Sequence, residues 1–372
     1  MHSDVRLDRR IQAGAANITL AVRSGEASWA ELGGRLAGFA ADRFVLLTDG
    51  TASAGHLARV RGLAAAQAPS TVHDLRDGPL PGGSAPTGRT VLIAVGGERA
   101  CGVEADVRVP TDLATACGPA LAAHRPDPAG DGGGSLAGSA PALVWVRADL
   151  LAARPAPETR AGMVAVIRHV LAVCPAQYGP LAAVLDPGAR YGEQAVTALL
   201  AICADARAAL VCFDPYETGP ALALGYGRSL GRALRTVAGP ALAPGDAEAL
   251  GLLLAARVAF LLGLSDGAAA WSHHELLARN GSPTALPAGV DPDRLADAVT
   301  GAADPGLLLL AELGHPYCAD GRLLSPVGGA VLRAAARSLG VRAALPHSRA
   351  AAPDARPAED QLPVPAALCS AA

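Results

Sequence analysis

Three continuous apolar runs mark the first part of the chain: "RFVLLTD" (Arg43 to Asp49), "TVLIAVGG" (Thr90 to Gly97) and "ALVWV" (Ala142 to Val146). Runs of this kind that end in turn residues read as strands buried on both faces of a parallel sheet. Between them, residues 54–66 and 112–124 carry a helical spacing of apolar positions, so strand and helix alternate as in a nucleotide-binding sheet. From Asp149 onward the strand-like runs stop. Ala- and Leu-rich helical segments follow at about 158–174, 194–213, 216–236, 246–263, 268–279 and 292–302, broken by Gly and Pro. The pattern predicts a Rossmann-like α/β domain over residues 1–147 and an all-helical domain over 148–347. The stretch "RPDPAGDGGGSLAGSAP" (125–141) reads as a flexible loop, and the Ala/Pro-rich end, 348–372, as a disordered tail.

With 372 residues, 51% of them hydrophobic, the chain is long enough for two cores. A net charge of -3 and the lack of a basic block argue against nucleic acid as a partner. Lysine is absent altogether, so every basic side chain besides histidine is an arginine. Seven cysteines stand without metal-site spacing and read as buried thiols of a reducing cytoplasm. The N-terminal "MHSDVRLDRRIQ" lacks the apolar stretch of a secretory signal. The segment Ala247 to Leu264 has the length of a membrane span, but Glu248 and Arg257 interrupt it, so it reads as a core helix and no membrane partner is expected.

The stretch "LGYGRSLGRALR" (Leu224 to Arg235) sets Gly227 and Gly231 four apart and Arg228 and Arg232 four apart, so each pair lies on one face of a helix. Its surroundings resemble the dehydroquinate synthase family of sugar phosphate cyclases, from about residue 16 to residue 340. "FVLLTDGT" and "VLIAVGGE" resemble that family's nucleotide-domain strands, and "VRVPTDLATA" its PTTLLA segment. "ADLLAARPAPETRAGMVAVIRHVL" resembles LLxTLPxRExxAGxAEVVKxxL, and "ARAALVCFDPYETGPALALGYGRSLGRALR" fits KAxVVxxDExExGxRxxLNxGHTxGHAxE without a gap. "PGDAEALGLLLAARVAFLLGL" is similar to HGEAVAIGMxxAxxLSxxLGL. The resemblance implies the family's two-domain fold, a homodimer and a small-molecule substrate held between domains.

The departures fall on functional positions. Where the resemblance places the three metal ligands, this chain has Ala165, Arg228 and Pro244. The second motif histidine is Arg232, the substrate arginine is Ala221, and two lysines are Arg168 and Arg207. The nicotinamide turn is shortened to "GGERACG", leaving Asp49, Gly96 and Gly97 as its remnant, and His124 stands where a lysine would be. On these grounds no metal and no cofactor are expected, with residual NAD binding confined to that remnant.

Two readings of the arginines stay open. In one, Arg228, Arg232, Asp246 and His124 are catalytic, while Arg168, Arg207, Asp214, Glu217 and His315 bind an anionic or polyhydroxylated substrate; the chain is then a divergent, metal-independent member of specialised biosynthesis running a cyclisation or elimination by acid–base chemistry. In the other, the arginines pair with the chain's own carboxylates and the protein is a catalytically dead scaffold or partner subunit. "HHELLAR" (His273 to Arg279) begins like a zinc-protease motif but has Ala278 in place of the second ligand, so His273 and His274 read as capping and surface residues.

Overall fold

The computed structural model of the chain describes residues 5–80, 88–123, 140–302 and 306–340. His124, most of the 125–141 loop and the 348–372 tail lie outside them.

The strands expected from the apolar runs form, as β3 (Arg43–Thr48), β5 (Thr90–Gly96) and β7 (Leu143–Arg147), and four more join them: β1 (Arg6–Ala13), β2 (Ala16–Arg23), β4 (Ser70–Asp74) and β6 (Val107–Pro110). The sheet order is β1-β2-β7-β6-β5-β3-β4; β1 and β2 are an antiparallel hairpin and every other pair is parallel. The hairpin turns at Gly14, whose φ of 58° suits glycine. In β1 the residues alternate between outward and inward positions and only Ile11 and Ala13 are fully buried, so no apolar run announces it. The segments after β2, β3 and β5 supply helices α1 (Ser28–Ala37), α2 (Ala54–Ala65) and α3 (Glu98–Cys101). Trp29, Leu32 and Leu36 of α1 and Val60 and Ala64 of α2 pack on Phe44, Leu46, Val91, Ile93, Val107 and Trp145 of the sheet. The helix expected over 112–124 is shorter: α4 (Leu113–Cys117), capped by Asp112, stops at Gly118 and Pro119 starts a separate 3-10 turn.

After α5 (Ala148–Ala152) come the long helices α6 (Ala156–Ala172), α7 (Tyr178–Val184), α8 (Glu193–Val211), α9 (Arg228–Ala238), α10 (Pro244–Leu261), α11 (Gly267–Arg279), α12 (Pro292–Thr300) and α13 (Gly329–Gly340). The single helix expected over 216–236 is not there. Pro220–Gly225 is a 3-10 turn, and Gly227, at φ 77°, breaks the path before α9 begins. Strands also return: β8 (Gly306–Leu308) pairs with β11 (Leu324–Pro326), and β9 (Leu310–Glu312) with β10 (His315–Pro316). Helix α8 is long and apolar enough to cross a membrane, and half of that stretch is buried within the protein. No disulfide joins the described cysteines; Cys101, Cys117 and Cys203 are buried, whereas Cys318 is exposed.

The chain forms two compact units. One combines residues up to Val166 with Gly188–Ala221; the other combines Ile167–Pro187 with everything from Leu222 onward. The sequence pattern suggests a single boundary at residue 147. The chain leaves the first unit within α6, returns for α8, and leaves again, because α8 packs on β1 and α5.

Candidate functional site

The two glycines of the α9 segment bring backbones into contact. A Cβ on Gly251 of α10 would lie 2.4 Å from the Gly227 carbonyl oxygen and 2.7 Å from the Gly231 nitrogen. One on Gly231 would lie 3.0 Å from the Ala247 oxygen and 3.2 Å from the Glu248 Cα. Helices α9 and α10 therefore cross with no side chain between them, and Glu248 is set against the first turn of α9. From α6, the fully buried Arg168 donates through Nε to the Tyr226 carbonyl at 2.8 Å and through Nη2 to Glu248 Oε2 at 2.5 Å. Partial burial pushes the Glu248 carboxyl up, but the charges of Arg168 and Arg228, the Arg168 hydrogen bond and the charge of Arg235 outweigh it and hold the group below the usual glutamate range. Glu248 is thus an ionised carboxylate, its side chain 38% exposed, resting on a guanidinium that water does not reach.

Behind Arg168, the Tyr226 hydroxyl lies 3.0 Å from His273 Nε2, and His273 Nδ1 lies 2.7 Å from the Ala269 carbonyl oxygen. A carbonyl only accepts, so Nδ1 carries the proton and Nε2 accepts from the phenol. Burial lowers the His273 pKa to about 4, despite the opposing Ala269 contact. The expectation that His273 is a capping or surface residue is corrected: it is 1% exposed. His274 is half-buried and stacks on Trp271, ring centroids 5.2 Å apart.

Arg228 opens α9, half-buried, and Arg232 is exposed one turn on. Asp246 sits half-buried in the first turn of α10, but the carboxylate that engages a buried arginine is Glu248, two residues later. Sequence reasoning passed over Glu248 as a site residue. Its signal was the lone acid inside the apolar run from Ala247 to Leu264. In the first unit, Arg207, 3% exposed, pairs with Glu217, which has a φ of 54°. Asp214 ties down the following loop, accepting from the backbone N–H groups of Thr218 (3.1 Å), Gly219 (2.8 Å) and Ala221 (3.0 Å). Arg168 with Glu248 and Arg207 with Glu217 are therefore two separate pairs, each within its own unit. His315 is exposed on β10, its Nδ1 3.0 Å from the Leu313 carbonyl oxygen.

At the carboxyl ends of β3, β5 and β6, Asp49, Gly96, Gly97 and Thr111 form a second polar cluster. Asp49 accepts from Thr51 Oγ1 (2.6 Å), Thr51 N (3.1 Å), Ala100 N (3.0 Å) and Gly97 N (3.1 Å). Burial opposes its charge, but these bonds prevail and keep the carboxyl below the usual aspartate range. Gly96 has φ 153°, and a Cβ there would meet Asp49 Oδ1 at 2.3 Å. A Cβ on Gly97 would meet Thr51 Oγ1 at 3.2 Å and Asp112 Oδ2 at 3.3 Å. The buried Thr111 hydroxyl has no hydrogen-bond partner.

A family model described as 3-dehydroquinate synthase C-terminal matches residues 162–302. A 2-deoxy-scyllo-inosose synthase of Streptomyces lividus is 34% identical over 202 residues, covering 52% of this chain and 53% of that protein. One from Micromonospora echinospora is 30% identical over 234 residues, covering 60% and 59%. The chain thus matches little more than half the length of these curated relatives. Among solved structures, a 2-deoxy-scyllo-inosose synthase complexed with carbaglucose-6-phosphate, NAD+ and Co2+ aligns with TM-score 0.76 at 20% identity over 89% of this chain and 99% of that one. A 2-epi-5-epi-valiolone synthase from Streptomyces hygroscopicus with NAD+ and Zn2+ bound aligns with TM-score 0.65 at 16% identity, over 89% and 99%.

These neighbours correct the expectation that no cofactor is used, since they hold NAD+ together with Co2+ or Zn2+. The cluster around Gly96 fits a dinucleotide: the glycines place bare backbone at the carboxyl edge of a parallel sheet, and Thr111 has a buried hydroxyl without a partner. The donor set at the metal positions is different. Ala165 and Pro244 offer no ligating side-chain atom, Arg228 stays protonated, and among the described residues no three His, Cys, Asp or Glu gather in a group that could hold a metal ion. These residues do not fit a divalent ion, and no step below runs through one. Residues 162–302 thus match the 3-dehydroquinate synthase C-terminal family, and the chain resembles sugar phosphate cyclases over about half of its sequence and shares their fold.

Proposed function

We propose that this protein is a biosynthetic enzyme of the natural-product cyclase type, binding a small polyhydroxylated sugar phosphate and ring-closing it by acid–base steps, with Glu248 as the proton acceptor. The observation that carries the reading is the Arg168–Glu248 pair: a carboxylate kept ionised and in contact with water, anchored from behind and set against the α9 turn that carries Arg228. An anchored, ionised carboxylate of this kind is a competent general base. Arg228 supplies positive charge for an oxyanion or phosphate oxygen, and Arg232, exposed on the next turn, can extend that contact. Asp49, Gly96, Gly97 and Thr111 would hold the NAD+ that the relatives use. When bound, such a dinucleotide exchanges a hydride with a secondary alcohol and acidifies the neighbouring carbon–hydrogen bond. The homodimer implied by the family resemblance and the cytoplasmic setting read from the cysteines are part of this proposal.

A second reading, the scaffold without catalysis, draws on the other buried arginine: Arg207 is closed by Glu217, and Asp214 is spent on its own loop. Calorimetric titration with carbaglucose-6-phosphate, in the presence of NAD+ and Co2+, separates the two. Binding at micromolar strength that Glu248→Gln and Arg228→Ala both weaken supports the enzyme; a wild type that takes up neither the sugar phosphate nor NAD+ supports the scaffold.

A further inference from the structure

We infer that the buried Tyr226–His273 pair is a positioning element that sets the orientation of Glu248 by way of Arg168. The inference rests on the reading of Glu248 as the acid–base carboxylate, and it gives a task to the histidine of the "HHELL" segment. Four elements of the second unit are joined by one polar thread: His273 of α11, Tyr226 ahead of α9, Arg168 of α6 and Glu248 of α10.

Each link leaves its neighbour little alternative. The Arg168 guanidinium is wholly buried, and its Nη1 has no hydrogen-bond partner, so Nε on the Tyr226 carbonyl and Nη2 on Glu248 are what hold the group in place. The Tyr226 peptide lies between a 3-10 turn and a glycine at φ 77°, so it is not clamped by a run of regular helix. Its side chain does the clamping. The ring is fully buried, meets the His273 ring edge-on with centroids 5.6 Å apart at 68°, and its hydroxyl donates to Nε2. His273 is in turn fixed in rotamer and tautomer by Nδ1–H on the Ala269 carbonyl. Burial keeps the imidazole neutral at neutral pH, so Nε2 stays an acceptor. If the phenol loses its anchor, the carbonyl that steers Arg168 loses it too, and Glu248 is left with a less directed guanidinium.

The test reads Glu248 itself, in the full chain and without substrate. With glutamate labelled by 13C at Cδ, the Glu248 signal is assigned by its loss in Glu248→Gln and then titrated. Tyr226→Phe keeps the ring and the carbonyl but removes the hydroxyl; His273→Leu removes the acceptor. Both are expected to move the Glu248 midpoint up toward an ordinary glutamate, while His273→Gln, whose side-chain oxygen can accept from the phenol, returns it to the wild-type value. A purely structural pair would lower the melting temperature in the first two variants and leave the midpoint where it was, which overturns the inference. If one of the two fails to fold, the other reads the same midpoint. Binding of carbaglucose-6-phosphate to wild type is scored separately: a wild type that ignores the ligand, with the Glu248 midpoint still responding to Tyr226→Phe, rejects the enzyme reading and keeps the positioning one.

Discussion

Arg168 donates to Glu248 across 80 residues of sequence, at 2.5 Å, from a position that solvent does not reach. Removing the carboxylate strands the buried cation. Glu248→Gln should lower stability by roughly 2 to 3 kcal/mol, less than for a wholly buried pair because Glu248 keeps contact with water. Urea unfolding measures it. Replacing both partners, as Arg168→Met with Glu248→Leu, should recover most of the loss; a double variant as unstable as the single one would show that the pair is not where the energy lies.

Acid should loosen the same unit through His273. Its pKa falls from 6.5 in the unfolded chain to about 4 in the folded one, so the unfolded state binds the proton more readily. The contribution is complete above pH 6.5 and is lost as the pH falls toward 4, amounting to roughly 3 kcal/mol when fully lost. Melting temperatures from pH 7 to pH 4 should therefore drop more steeply for wild type than for His273→Gln. Parallel curves would assign the acid sensitivity to other groups, among them His56, whose burial also lowers its pKa to about 4.

Gly251 should tolerate no side chain. A methyl group there would meet the Gly227 oxygen at 2.4 Å and the Gly231 nitrogen at 2.7 Å, both backbone atoms that cannot swing aside. Gly251→Ala is expected to cost about 1 to 3 kcal/mol, despite the better helix propensity of alanine, because α9 and α10 must separate. An unchanged or higher melting temperature would refute the close crossing.

Thr111→Val tests the dinucleotide site with a change of a single atom type. The hydroxyl is buried without a partner, so its loss should leave stability unchanged or raise it. If NAD+ supplies the missing partner, affinity should fall roughly tenfold, the worth of one hydrogen bond. Equal affinity in both proteins, by calorimetry, would place the cofactor away from Thr111.

The sheet was legible where strands are buried on both faces, as in β3, β5 and β7, because there apolar residues run without a break. It was illegible in β1, half of whose positions face water, and in the two-residue β10, too short to carry a period. Gly227 and Gly231 stood out in the sequence as a pair four apart, and both lie at the close crossing with α10. The break at Gly227 was hidden because the apolar spacing runs through it, and only a positive φ shows that the helix does not. The site was harder. Asp246 was favoured for its place in a motif, whereas the carboxylate that meets the buried Arg168 is that of Glu248, whose own Cα lies at the α9 contact. His273 could not be placed on the buried side of α11, because His274 stands next to it and the helical face that packs inward is set by its partners.

The return of α8 to the sheet unit bears on how the chain is made. Arg9 of β1 and Asp205 of α8 meet at 3.1 Å, although 196 residues of sequence separate them. On a ribosome, β1 emerges well before α8 and waits until α8 has cleared the exit tunnel before that side of it is covered. Its row of arginines, Arg6, Arg9 and Arg10, keeps the waiting edge charged and discourages pairing with a strand of a neighbouring nascent chain.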